Sequence, residues 1–205
     1  MLAPMGTVVH PGIWQTRGAA GHARRLLGKY LVVAGPNGPA GHMITEVEAY
    51  DGERDLACHA AKGRTARTEP LYAAGGIWYV YLCYGIHEMI NLVVGPADWP
   101  AAVLIRGVEG IAGPGRLTKQ LGIDRRWNQT AAAPAAGIWL EDRGVKVPAR
   151  LIRATPRIGV DYAGPIWAAK PWRFTFDPQA LARASHRRLP PPGDTRSRSP
   201  SPRRP

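Results

Sequence analysis

The stretch "GHMITEVEAY", residues 41–50, decides how the chain is read. Taken as a strand, it puts Ile44, Glu46, Glu48 and Tyr50 on one face and Thr45, Val47 and Ala49 on the other. A carboxylate on such a face can act as a general base for water only if the face lines a pocket; on an open sheet edge it is merely solvated. Of the two acids, Glu46 is expected to pair with an arginine, which leaves Glu48 as the candidate base. Beyond Tyr50 the chain runs through "DGERDLACHA", where a helical turn or two around Asp55–Ala61 carries His59.

Working outward, "GHARRLLGKYLVV" reads as a short helix ended near Gly28 and followed by a strand, with "PNG" turning into the next. "GRTARTEPLYAAGG" (63–76) is a basic loop offering Arg64, Thr65, Arg67 and Thr68 to phosphate oxygens, or else simply a solvated loop. "IWYVYLCYGIHEMINLVV" predicts two strands hinged at Tyr84-Gly85, and "AAVLIRGVEG" a further one. "GPGRLTKQLGI" predicts a helix from about Arg116, and the part from "GIWLED" to "PWRFTF" short strands with turns. Strands and helices mingle rather than alternate as βαβ, so the expected class is α+β. Residues 1–20 read as an N-terminal extension, 21–182 as one domain, and 183–205 as a Pro-, Ser- and Arg-rich tail too poor in apolar residues to order itself.

With 205 residues and 45% apolar content, the chain can build one domain with a real core. No stretch approaches the roughly 18 uninterrupted apolar residues of a membrane span. The opening "MLAPMGTVVHPGIW" lacks the basic segment and apolar core of a secretory signal. Cys58 and Cys83 make neither a metal cluster nor a disulfide framework, so a reduced cytoplasm is the expected compartment. The net charge of +12 points to a polyanionic partner, yet half of that excess lies from Arg183 onward, and the body is only moderately basic.

Three further features bear on chemistry. Tyr79 and Tyr81 share a strand face, whereas Tyr84 sits at the bend, poorly placed for core packing and well placed to wedge between base pairs. Asn91 stands alone in "MINLVV"; a buried amide is either satisfied by backbone or aimed at a ligand. No lysine stands among these residues to form a Schiff base.

Singly these signals are weak, but their order is specific: EAY, a His nine residues beyond the Tyr, a basic RT loop, YVYxxYG, an Asn seven residues after the last Tyr, then "LIRGVEG" and "GPGRL". This order resembles the alkyladenine (3-methyladenine) DNA glycosylase family, from about Ala23 to Phe174. The resemblance implies a monomeric single-domain protein built on a curved, mostly antiparallel sheet, with flanking helices and a protruding β-hairpin, that needs no metal or organic cofactor. It implies a monofunctional enzyme of base excision repair that flips alkylated or deaminated purines out of duplex DNA and hydrolyses the N-glycosidic bond. By match of position, Glu48 is the general base; Tyr50 and Tyr81 sandwich the extruded base with His59 beside them; and Asn91 helps exclude the guanine amino group. Arg106 contacts the pocket and the DNA backbone, Tyr84 fills the vacated stack, and Arg64, Thr65 and Arg67 approach DNA.

The departures are local. The family's loop often reads Arg-Asn followed by Met-Phe, where this chain has Arg67-Thr68 and Leu71-Tyr72, which bears on one contact near the pocket and on substrate range. Val47 replaces a commoner threonine on the face away from the site. Two other readings compete: a catalytically silent nucleic-acid-binding module with the same pocket, which an absent Glu48 would mark, and a formyltransferase-like small-molecule enzyme. The latter leaves Tyr84 and the RT loop without purpose.

Overall fold

Strand β3 explains most of the architecture. The computed structural model of the chain describes residues 6–186. In chain order its elements are β1 (Thr7–Val8), α1 (Ala19–Leu26), β2 (Tyr30–Gly35), β3 (Gly38–Asp51), β4 (Trp78–Cys83), β5 (His87–Val93), β6 (Ala101–Val108) and β7 (Ile111–Ala112), followed by α2 (Pro114–Leu121), β8 (Ile138–Asp142), β9 (Arg153–Thr155), α3 (Gly164–Ala168), β10 (Arg173–Thr175) and α4 (Pro178–His186). β3, 14 residues long, pairs with β2 through Met43 and thereafter with β6, while β10 flanks it at Glu46–Glu48. The ten strands form one sheet: seven follow the path β1-β8-β2-β3-β6-β5-β4, β7 pairs with β6, and β10 pairs with both β3 and β9, antiparallel at every pairing. With four α-helices among the described residues, this is a single α+β domain.

One face of the sheet carries the core: Leu31, Val33, Val47, Ala49, Val80, Ile90, Leu92, Val103 and Ile105 form one cluster with residues of α1 and α2. Helix α1 buries Ala19, His22, Ala23 and Leu26, the spacing of a single apolar stripe, and Gly28 follows with φ 80. Helix α2 begins at Pro114, two residues before the expected start, because proline suits a first helical position whose N–H has no intrahelical partner. Each buried aliphatic here contributes roughly 1.5–3 kcal/mol.

Strict alternation in β3 fails at one residue. Ile44 was expected to share the face of Glu46, Glu48 and Tyr50, but it is buried in the core with Val47 and Ala49. The pairing of β3 with β6 shifts register twice, passing from Ile44↔Val108 to Glu46↔Gly107 and then to Val47↔Ile105. The register skips Thr45 on one strand and Arg106 on the other. A bulge turns the residues before it to the opposite face, which places Ile44 in the core and frees Arg106 from the regular ladder.

The segment before α1 is built into the domain. Thr7 and Val8 pair with β8, Trp14 is 1% exposed in the core, and the Gly95 N–H donates to the Trp14 carbonyl at 2.7 Å. A Cβ on Gly75 would collide with that carbonyl oxygen, so this contact requires glycine. At the other end α4 runs to His186, so the first positions assigned to the tail are helical, and residues 187–205 lie outside the described residues. No helix among the described residues is long and apolar enough to cross a membrane. Trp14→Ala should therefore lower unfolding stability by about 3–5 kcal/mol in a urea titration; a change too small to measure would mean that residues 6–14 do not belong to the cooperative unit.

Candidate active site

Residues opposite one another in a sheet share a face, and pairing across five strands aligns Tyr79, Asn91, Leu104, Glu48 and Arg173 in one row. This face is opposite the core. Tyr50, opposite Ala102, lies to one side of the row, and Tyr81, opposite Met89, lies to the other. Sheet pairing thus brings Glu48, Tyr50, Tyr81 and Asn91 onto one surface, with the two tyrosines flanking it.

Glu48 is 0% exposed. An isolated buried carboxylate would lose its charge to the desolvation penalty, so its contacts decide its state. The Tyr50 hydroxyl donates to Oε2 at 2.8 Å and the Ile158 N–H to Oε1 at 2.8 Å. Arg106 approaches from β6, with Nη1 3.4 Å from Oε2 and Nε 3.4 Å from Oε1. Glu46 Oε1 in turn accepts from Arg106 Nε at 2.9 Å and Arg173 Nε at 2.7 Å, the arginine pairing expected of it. Burial raises the Glu48 pKa above 4.5, and Glu46 adds to that; Arg106, the Ile158 N–H and Tyr50 pull it back. Tyr50 is held well above its ordinary value by burial and by Glu48, so it remains a phenol that donates.

The aromatic side of the site is equally connected. His59 heads a 3-10 turn (His59–Lys62); its Nδ1 lies 3.0 Å from Tyr79 Oη, and its ring centroid 4.6 Å from that of Tyr81. Tyr79 and Tyr81 are themselves 5.2 Å apart. Tyr50 and Tyr81 both pack against the apolar cluster of Cys58, Ala60, Leu71 and Tyr72. Burial, then Arg67 and Lys62, push the His59 pKa down to about 4, so the imidazole is neutral at neutral pH. Burial pushes the Cys58 thiol up to about 12, which removes it as a nucleophile. Asn91 donates both amide hydrogens to main-chain carbonyls, of Tyr79 at 3.1 Å and Met89 at 3.3 Å, so the amide is rigidly held.

The residues expected to approach DNA separate into different situations. Tyr84 is 90% exposed at the tip of the β4–β5 hairpin, with φ 49 beside Gly85 at φ 70. Positive φ at both central residues is what a type I′ turn requires, and it projects the ring away from the sheet. Arg64 is tied to Glu69 by two bonds of 2.8 and 2.7 Å and to Asp98 at 2.8 Å. The Thr65 N–H donates to Thr68 Oγ1 at 2.8 Å, which closes the loop on itself. Arg67 is exposed, with its guanidinium 5.5 Å from the Tyr81 ring centroid, at the edge of the aromatic cluster.

Three site residues escaped the sequence reading: Ile158, through its N–H on Glu48, and the buried pair Arg157 and Asp55, whose guanidinium and carboxylate meet at 2.6 and 2.8 Å. Ile158 stands 110 positions from Glu48, and a main-chain contact at that separation has no signature in residue type. Among the described residues, no group of three His, Cys, Asp or Glu side chains could hold a metal ion.

Comparison with known proteins bears on this geometry. A protein of Psychrobacter cryohalolentis is 46% identical over 158 residues, covering 65% of this chain and 72% of its own. One of Myxococcus xanthus is 42% identical over 193 residues, 89% of this chain and 95% of its own. One of Methanocella arvoryzae is 42% identical over 172 residues, 74% of this chain and 84% of its own. All three are named provisionally as 3-methyladenine DNA glycosylases. Residues 14–112 and 108–180 match the methylpurine-DNA glycosylase family, and those spans contain the buried Glu48, the tyrosine cluster and the loop carrying Ile158; the chain belongs to that family.

Proposed function

We propose that this chain is a monofunctional DNA glycosylase that extrudes methylated purines from duplex DNA and hydrolyses their N-glycosidic bond. The observation that carries the reading is Glu48: a carboxylate fully buried on a polar sheet face, oriented by Tyr50, Arg106 and the Ile158 N–H, between two flanking tyrosines. A base inside a duplex cannot be reached, so the nucleotide rotates out at a cost of a few kcal/mol in pairing and stacking. Stacking on Tyr50 and Tyr81 returns about 1–3 kcal/mol per ring contact.

Departure of the base leaves oxocarbenium character at C1′, as in glycoside hydrolysis. Ionised Glu48 stabilises that charge and takes the proton of the attacking water, while Arg106 favours the ionised form against the burial that raises its pKa. A purine methylated at a ring nitrogen such as N3 or N7 already carries positive charge, so it gains attraction to electron-rich ring faces and leaves without a proton from the protein. The neutral His59 supports this preference, because an imidazole with a pKa near 4 stores no proton for a leaving base at neutral pH. His59 serves as a stacking and hydrogen-bonding wall of the pocket. The cations around Glu48 are arginines, Arg106 and Arg173 among them, and offer no amine for a Schiff base.

Tyr84 enters the stack vacated by the extruded nucleotide. Asn91, immobilised by its two carbonyl contacts, stands against the guanine amino group. Arg67 presents its charge to the backbone, while Arg64 and Thr65 hold the loop that carries it.

Glu48→Gln should bind a lesion-bearing duplex as the parent does and release the base about 10²- to 10⁴-fold more slowly; retained turnover would assign the base elsewhere. The same variant has a signed effect on stability. Because folding raises the pKa of Glu48, the ionised side chain lowers stability as pH rises through the folded value. Thermal melts should find the glutamine variant at least as stable as the parent at pH ~8, with the advantage vanishing below the ordinary glutamate range. Tyr84→Ser should weaken binding to intact duplex by about tenfold, more than to a duplex with a pre-formed gap in the stack. Equal loss on both substrates would argue against a wedge.

A further inference from the structure

Arg157 makes no hydrogen bond to Glu48, yet its guanidinium joins three separate segments. Nη1 donates to the Ala49 carbonyl of β3 at 2.8 Å and to Asp55 Oδ2 at 2.6 Å. Nη2 donates to Asp55 Oδ1 at 2.8 Å and to the Trp167 carbonyl of α3 at 3.2 Å. The guanidinium also lies 4.8 Å from the Tyr50 ring centroid and 5.2 Å from that of Trp172. Asp55 also accepts from the N–H groups of Asp51 at 3.2 Å and Ala57 at 3.1 Å. Both side chains of the pair are 0% exposed.

A buried ion pair is weak evidence for a role in stability, because well-packed apolar side chains often serve as well. What apolar side chains cannot do is hold a main-chain segment in one orientation through several directed bonds. The residue after Arg157 supplies the N–H on Glu48 Oε1, and the ring over which Arg157 lies supplies the hydroxyl on Oε2. Both of the short hydrogen bonds to the carboxylate therefore come from groups next to Arg157, one its neighbour in the chain and the other the ring its guanidinium covers.

We propose that the Asp55–Arg157 pair positions Glu48: it anchors the loop so that the Ile158 N–H stays on one carboxylate oxygen and clamps Tyr50 so that its hydroxyl stays on the other. The inference rests on Glu48 being the base. The groups facing Glu48 are Tyr50 and Glu46 of its own strand, Arg106 of β6, the Ile158 N–H with Arg157 behind it, and, through Glu46, Arg173 of β10. Hydrogen bonds to a carboxylate favour its ionised form, so loosening the loop withdraws one and moves ionisation of Glu48 to higher pH. Arg157→Lys tests this with the charge retained and the bidentate geometry removed.

The measurement is single-turnover release of methylated purine from duplex DNA by the full-length protein across acid and neutral pH, beside duplex affinity. Arg157→Lys should slow release at neutral pH by about 10- to 100-fold, shift the acidic limb of the rate profile upward in pH, and leave affinity for undamaged duplex unchanged. A slower rate with an unmoved limb would reduce the pair to a packing element and overturn the proposal, as would an unchanged rate. Should Arg157→Lys fail to fold, Asp55→Asn, which keeps one acceptor oxygen for the guanidinium, decides on the same criterion. Glu48→Gln is run in parallel. If it still turns over, the base assignment falls and this inference with it; if it is silent while the limb stays put, positioning alone is refuted.

Discussion

The cost of keeping a carboxylate charged away from water governs this molecule. Glu48 has no exposed surface, and burial raises its pKa, so its ionised form survives only through the donors aimed at it. Those donors come from four places: Tyr50 on its own strand, Arg106 on β6, the Ile158 N–H on the loop after β9, and, at one remove, Arg173 on β10 holding Glu46. Each has to arrive with hydrogen-bond accuracy, which a loop alone rarely achieves. The sheet supplies that accuracy, since β3 lies between β6 and β10 where the two glutamates stand.

The double register shift between β3 and β6 is part of the same requirement. In an unbroken ladder, Ile44 would share the polar face with Glu46 and Glu48, and Arg106 would remain in regular pairing. The shift sends Ile44 into the core, while Arg106, two residues beyond Leu104 on the glutamate face, reaches the Oε atoms of both glutamates at 2.9 to 3.4 Å. One local irregularity therefore adds a buried aliphatic to the core face without disturbing the paired charges on the other.

Opposite degrees of exposure separate the tyrosines beside Glu48 from the hairpin tip. The pocket tyrosines are packed and their hydroxyls remain protonated, whereas Tyr84 projects from a turn that holds it at positive φ and sits 90% exposed. A large aromatic held in solvent contributes nothing to the fold, which suits a partner that buries it later. The basic loop divides its labour similarly: Arg64 is occupied by Glu69 and Asp98, and Arg67 is left at the edge of the aromatic cluster.

Much of this was legible in residue order because the signals are local. The alternation of β3 from Glu46 onward, the glycine ending α1, the bend at Tyr84-Gly85 and the same-face placement of Tyr79 and Tyr81 each depend on neighbours within a few positions. The order along the chain singled out Glu48, Tyr50, Tyr81 and His59, which the fold brings close together. What only the tertiary structure decided are contacts between distant segments: Trp14 seated in the core, Arg64 paired with Asp98, Ile44 displaced by a register shift, and the loop at Arg157 and Ile158 brought onto Glu48. Such contacts depend on sheet register, on main-chain atoms that every residue carries alike, and on which distant side chains the fold brings together, so no local pattern announces them in advance.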